Sequence, residues 1–127
     1  MRKSAGKRQR SVSNRRRRYA TGRHAERTAA FYLTIKGYRI LQRNFRSPVG
    51  EIDIIAVRLR RLVFVEVKSR DRVSEALDAI TSRQQVRIKN AAKFWLSRRP
   101  AYSDYTMSFD AIIVAKSRLP IHFANIF

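Results

Sequence analysis

Two short runs of this 127-residue chain place charges inside otherwise apolar segments: "GEIDIIAV" at 50–57 and "VFVEVKSR" at 63–70. An unpaired charge in a buried strand is costly even after the surroundings relax, so Asp53, Glu66 and Lys68 need partners. Successive strand residues point to opposite faces, which sets Glu66, Lys68 and Arg70 on one face and Val63, Val65 and Val67 on the other. The same alternation groups Glu51 with Asp53, opposite Ile52 and Ile54. A short link around Leu59 and Arg60 makes the two runs an antiparallel hairpin. With the loop centred there, Asp53 lies opposite Glu66, and Glu51 opposite Lys68. A one-residue slip would turn every apolar side chain to the wrong side.

Directly opposite side chains stand about 4.5 to 5.5 Å apart at Cβ. Two carboxylates that close repel unless a positive group sits between them, and a hard divalent cation, Mg²⁺ or Mn²⁺, takes such oxygens. Lys68 is then placed to hold a water or take its proton. The competing reading is a structural network in which Lys68 pairs with Glu51 and Glu66.

The elements around these residues are those of an α/β domain. "GRHAERTAAFYLTIKG" (22–37) reads as a helix closed by Gly37, with Glu26, Ala29, Ala30 and Leu33 along one face. That puts the Glu26 carboxylate on the apolar stripe, although a first-turn acid is also favoured by the helix dipole. "YRILQR" (38–43), "GEIDIIAV" and "LVFVEVKSR" (62–70) are strand-like. A second helix is expected over 82–98, with Ser82 and Gln85 as a capping box and Ile88, Ala91, Ala92, Trp95 and Leu96 as its core face. "MSFDAIIVA" (107–115) and "IHFANIF" (121–127) supply a further strand and a short last one. His24 and His122 lack metal-ligand spacing and read as surface or satisfied core histidines.

Charge sets the partner class. Lys and Arg number 29 against 9 acids, a net charge of +20. A polyanion is the expected partner, nucleic acid first and DNA ahead of RNA. Half of that charge lies in residues 1–27, where eleven Lys or Arg face one acid. Residues 1–21 have almost no apolar side chains to bury and read as a disordered basic arm, with Arg15, Arg16, Arg17 and Arg18 as sequence-independent phosphate contacts. Residues 22–127 form the folded domain. No apolar run approaches the roughly 20 residues of a membrane span, so no membrane partner is expected. The absence of cysteine suits a cytoplasmic protein. A homodimer is compatible with the sequence. There is no phosphate-binding GxxxxGK[ST] loop and hence no case for an NTPase.

An early helical Glu, then Asp, then Glu-X-Lys resembles the PD-(D/E)XK, restriction-endonuclease-like superfamily. More narrowly, residues 22–56, "VFVEVKSR", "SRQQVRIKNAAKFWL" and "FDAIIV" followed by "IHFANIF" resemble the YraN family of small bacterial proteins. The resemblance covers nearly everything after Gly22. It implies an αβββαβ core with a mixed sheet, akin to that of Holliday-junction resolvases. It also implies Asp53, Glu66 and the Val67 backbone carbonyl as metal ligands, Lys68 as the catalytic lysine, and Glu26 as an accessory acid. The activity implied is Mg²⁺-dependent hydrolysis of phosphodiester bonds in DNA, with branched or flapped forms as candidate substrates and Arg43, Arg46 and Arg70 as phosphate contacts. A binding module that keeps a nuclease fold is the alternative. Three features depart from the family: the basic arm, the basic turn "RLRR" after "IIAV", and Gln84 where the family's lysine is expected. Glu51 and Gln85 are accessory candidates.

Overall fold

The computed structural model describes residues 22–127, so the basic arm and its arginines at 15–18 lie outside the described residues. Helix α1 spans 22–35. Gly37 has φ +92°, and the Tyr38 and Gly37 N–H groups donate to the Leu33 and Thr34 carbonyls at 3.0 Å, ending the helix in a Schellman turn. Strand β1 (Arg39–Ser47), β2 (Gly50–Arg58) and β3 (Arg61–Ser69) then form a meander. A short helix α2 (Val73–Asp78), helix α3 (Ser82–Ser97), a 3₁₀ turn at Pro100–Tyr102, β4 (Thr106–Val114) and β5 (Ile121–Phe123) complete the chain.

The five strands lie in the order β1-β2-β3-β4-β5, antiparallel except for the parallel β3–β4 pair. This is the mixed α/β sheet expected of a restriction-endonuclease-like core. The β3–β4 crossover runs through α2 and α3, since parallel neighbours cannot be joined by a tight hairpin. Each face of the sheet buries one apolar set. Ile55, Val57, Leu62 and Phe64 pack with Ile88, Ala91, Ala92 and Trp95 of α3. Ile54, Ala56, Val63 and Val65 pack with Ala29, Ala30 and Leu33 of α1. Trp95 is core, with its indole N–H donated to Gln42 Oε1 at 3.0 Å.

The β2–β3 register is the expected one, Arg58↔Arg61 at the turn and Ile54↔Val65 at the last ladder pair. Other boundaries differ from the sequence expectation. β1 continues to Ser47 because a bulge between Ile40 and Gln42 shifts its register and turns Phe45 into the core. α2 was not expected; among its residues only Ala76 is buried, too little to leave a periodic signal. The α3 cap is Thr81, not Ser82: its side chain accepts from the Gln84 N–H at 3.1 Å.

Candidate functional site

Where the β2–β3 ladder ends, Asp53 and Glu66 carry the pairing one step further. Asp53 Oδ2 accepts the Val67 N–H at 2.8 Å, closing the gap between the strands with a side chain instead of a backbone carbonyl. A strand residue's N–H and C=O point to the same side, so the Val67 carbonyl also faces β2. Lys68 Nζ is 3.3 Å from Glu66 Oε1. The same oxygen accepts from Gln84 Nε2 at 3.0 Å. Gly50 makes this approach possible, since a Cβ there would lie 2.1 Å from the Arg87 carbonyl of α3. Only glycine lets the start of β2 come so near the helix.

The electrostatics are frustrated. Burial pushes the Glu66 carboxyl up to about 8, the Asp53 charge adds to this, and Lys68 opposes it. Burial also raises Asp53, against the Val67 N–H and Lys68. Glu26 is buried and raised as well, by burial first and then by Asp53, with Arg43 and Arg46 opposing. Its Oε1 has no hydrogen-bond partner, and Arg43 Nε stands at 3.7 Å. Three carboxyls thus converge with less positive charge and fewer donors than they need.

Two cavities meet at the pair. One, of about 330 Å³, opens between the start of α1 and the β1–β2 hairpin and is lined by Glu26, Arg46, Asp53, Glu66, Val67 and Lys68 among others. The other, of about 180 Å³, lies on the α3 side against Gln84 and Arg87. Glu51 borders both. It is exposed and stands across from Arg46 of β1. Arg43 lies beside Glu26 in a neighbouring cleft. Arg70 points away, donating to the Ser69 carbonyl at 2.7 Å and lining a separate cavity with His24, Asp71, Glu75 and Lys116.

The second helix reaches the site through a different residue from the one expected. Gln85 turns back to the Ile80 carbonyl at 3.4 Å, whereas Gln84 holds Glu66. "TSRQQ" fits a capping box in two frames, Thr81 with Gln84 or Ser82 with Gln85, and packing against β3 selects the first. Gln84 does not complete the box, because its amide goes to Glu66 rather than to the cap. His122 is a satisfied core histidine, bonded to Asp110 Oδ2 and Lys36 Nζ at 2.7 Å each.

The donor set suits a hard cation, with two adjacent carboxyls raised above their ordinary range and a backbone carbonyl beside them. Among the described residues no group of three or more His, Asp or Glu side chains is arranged to hold a metal ion. A cation here would rest on two carboxylates and the backbone. No helix among these residues is long and apolar enough to cross a membrane.

Residues 25–114 match the family described as Uncharacterised protein family UPF0102. A UPF0102 protein of Nitrobacter winogradskyi is 50% identical over 109 residues, spanning 86% of this chain and 92% of the relative. One from Rhodopseudomonas palustris strain HaA2 is 51% identical over 104 residues, 82% of this chain and 81% of the relative. A third, from a Chelativorans species, is 44% identical over 114 residues, 90% of this chain and 92% of the relative. With this coverage and identity, the chain belongs to the UPF0102 family, the YraN family that its motifs resemble.

Proposed function

We propose that this protein is a metal-dependent nuclease that hydrolyses phosphodiester bonds in DNA, with branched or flapped forms as its candidate substrates. One observation carries the reading: the half-buried Asp53 and buried Glu66 carboxyls line the same two cavities, with Lys68 Nζ 3.3 Å from Glu66 Oε1 and both carboxyls raised above the ordinary carboxylate range. A purely structural network would be expected to satisfy its charges, as buried polar groups elsewhere in this fold do. Asp53, Glu66 and the Val67 carbonyl would hold Mg²⁺ or Mn²⁺, which when bound supplies electrostatic stabilisation to the phosphoryl oxygens. Lys68 orients the attacking water and accepts or relays its proton. Gln84 keeps Glu66 turned toward Asp53, and Glu26, with an unsatisfied oxygen on the same cavity, orients water or substrate from the α1 side. Arg46 and Arg43 offer charge to the phosphates flanking the cut, and Arg15, Arg16, Arg17 and Arg18 of the basic arm add sequence-independent affinity.

The alternative, a binding module with a nuclease fold, draws on the absence of a third metal-holding side chain beside the pair among the described residues. A cleavage assay separates the two. The full chain is incubated with duplex, single-stranded, flap and four-way-junction DNA in Mg²⁺, Mn²⁺ or chelator. Cleavage that needs the ion and is lost in Asp53→Asn supports the nuclease. Binding without cleavage of any substrate leaves the binding module.

A further inference from the structure

The end of the sheet opposite the carboxylates is built by residues 34–42, 57–62 and 97–108, which hold seven Lys or Arg and a single acid, Asp104. Its tip is the "RLRR" turn between β2 and β3, about 16 Å along the strands from Asp53 and Glu66. Leu59 is the first central residue of that turn, where glycine is preferred. It sits at φ +56° with 90% of its surface exposed. A leucine there carries backbone strain and buries nothing, so the fold gains nothing from it.

The arginines around it are held in place. The Arg58 guanidinium lies 4.8 Å from the centre of the Tyr38 ring and donates to the Lys36 carbonyl at 2.9 Å. Arg60 lies 5.0 Å from the centre of the Tyr105 ring and pairs with Asp104. Arg61 donates to Ser108 Oγ at 2.9 Å. Each remains exposed, so its unused N–H groups face solvent in a fixed orientation.

We propose that the β2–β3 turn is a second nucleic-acid contact, in which Leu59 enters a base step while Arg58, Arg60 and Arg61 take the flanking phosphates. Apolar wedges flanked by cations unstack base steps in this way, and guanidinium forks match phosphate geometry. An anionic membrane is the poorer match. Surface-bound helices present a broad apolar face, whereas here one leucine projects and Tyr38 and Tyr105 are covered by guanidinium groups. The contact rests on the reading that the partner is nucleic acid, but not on cleavage.

The test uses the full-length chain in chelator, with duplex DNA and a four-way junction as probes. Arg60→Gln/Arg61→Gln should lower the slope of log affinity against log salt by about 2 units. Leu59→Gly relieves the left-handed strain, so it should unfold at a higher temperature than the parent while losing the fluorescence rise of a 2-aminopurine base placed at the bound step. A better-folded variant that binds less well cannot be ascribed to misfolding. An unchanged salt slope in the arginine variant, or a 2-aminopurine signal that Leu59→Gly leaves intact, overturns the proposal. So does loss of binding to phosphatidylserine vesicles with DNA binding untouched, which would make the turn a membrane contact. These outcomes leave the carboxylate site standing, because cleavage by Leu59→Gly in Mg²⁺ is scored separately.

Discussion

The sheet carries two buried acidic clusters, and they are opposites. Asp110, on β4, is fully buried and satisfied: it accepts from His122, from the Asn125 N–H at 2.8 Å and from Ser108, and His122 in turn is bonded to Lys36. Burial alone would push its carboxyl up, yet these donors overcome it and hold the group below the ordinary carboxylate range. Glu66 is buried and Asp53 half-buried, and there desolvation wins and both are raised. Asp110 gathers three donors and has no acid facing it, whereas Asp53 and Glu66 share fewer donors and the Asp53 charge raises Glu66 further. Where the chain provides every donor, a buried acid locks β5 and the end of α1 to the sheet. Where two carboxyls face each other with fewer donors between them, both stay raised above the ordinary range.

The largest effects should come from the chemistry of the frustrated cluster. Lys68→Ala should lower turnover by about 10²- to 10⁴-fold while metal binding, followed calorimetrically, survives. Asp53→Asn should abolish metal-dependent cleavage. If Lys68→Ala lost stability instead and the parent bound no metal, the two clusters would be alike and the contrast would collapse.

The satisfied cluster should fail differently. His122→Ala leaves Asp110 buried without its main donor and should cost about 3–5 kcal/mol in denaturant unfolding. Asp53→Asn removes a repulsive charge and should leave the metal-free protein no less stable than the parent.

Metal should discriminate between the clusters. At a hundred times its dissociation constant, Mg²⁺ should stabilise the parent by about 2.7 kcal/mol. It should do nothing for Asp53→Asn and act on His122→Ala as on the parent, as thermal unfolding with and without the ion would show.

Glu26→Ala should slow cleavage by about tenfold, the scale at which a supporting group acts on a metal site. Removing a carboxylate with an unsatisfied oxygen should leave stability unchanged or higher. Cleavage at the parental rate would return Glu26 to the role of a first-turn helix acid.

The smallest effect concerns pH. Asp110 has a lowered folded-state pKa, so its contribution is complete above the ordinary carboxylate value of 3.8 and is lost as pH falls through the folded value. Asp110→Asn should therefore flatten the acid limb of the stability profile below about pH 4. An unaltered limb would mean that Asp110 is not held down by its donors.

Much of this architecture was legible in the chain. The α1 stripe and its Gly37 stop are local, because a left-handed C-terminal residue and a 3.6-residue period need no knowledge of the rest of the fold. The β2–β3 register was readable because alternation leaves one parity that buries Ile54, Ala56, Val63 and Val65 together, and that parity brings Asp53 beside Glu66. What the chain could not settle locally was decided by packing. Phe45 extends β1 only because a bulge turns it toward α3, and Thr81 wins over Ser82 as the cap because that frame delivers Gln84 to Glu66. The sequence by itself set Asp53 beside Glu66 in an apolar strand pair, but gave no sign that Asp110 is buried. Only the tertiary structure decided how well each acid is satisfied, because Asp110's donors His122 and Asn125 come from β5 and the turn after it, and Lys36 at the end of α1 holds His122 in turn.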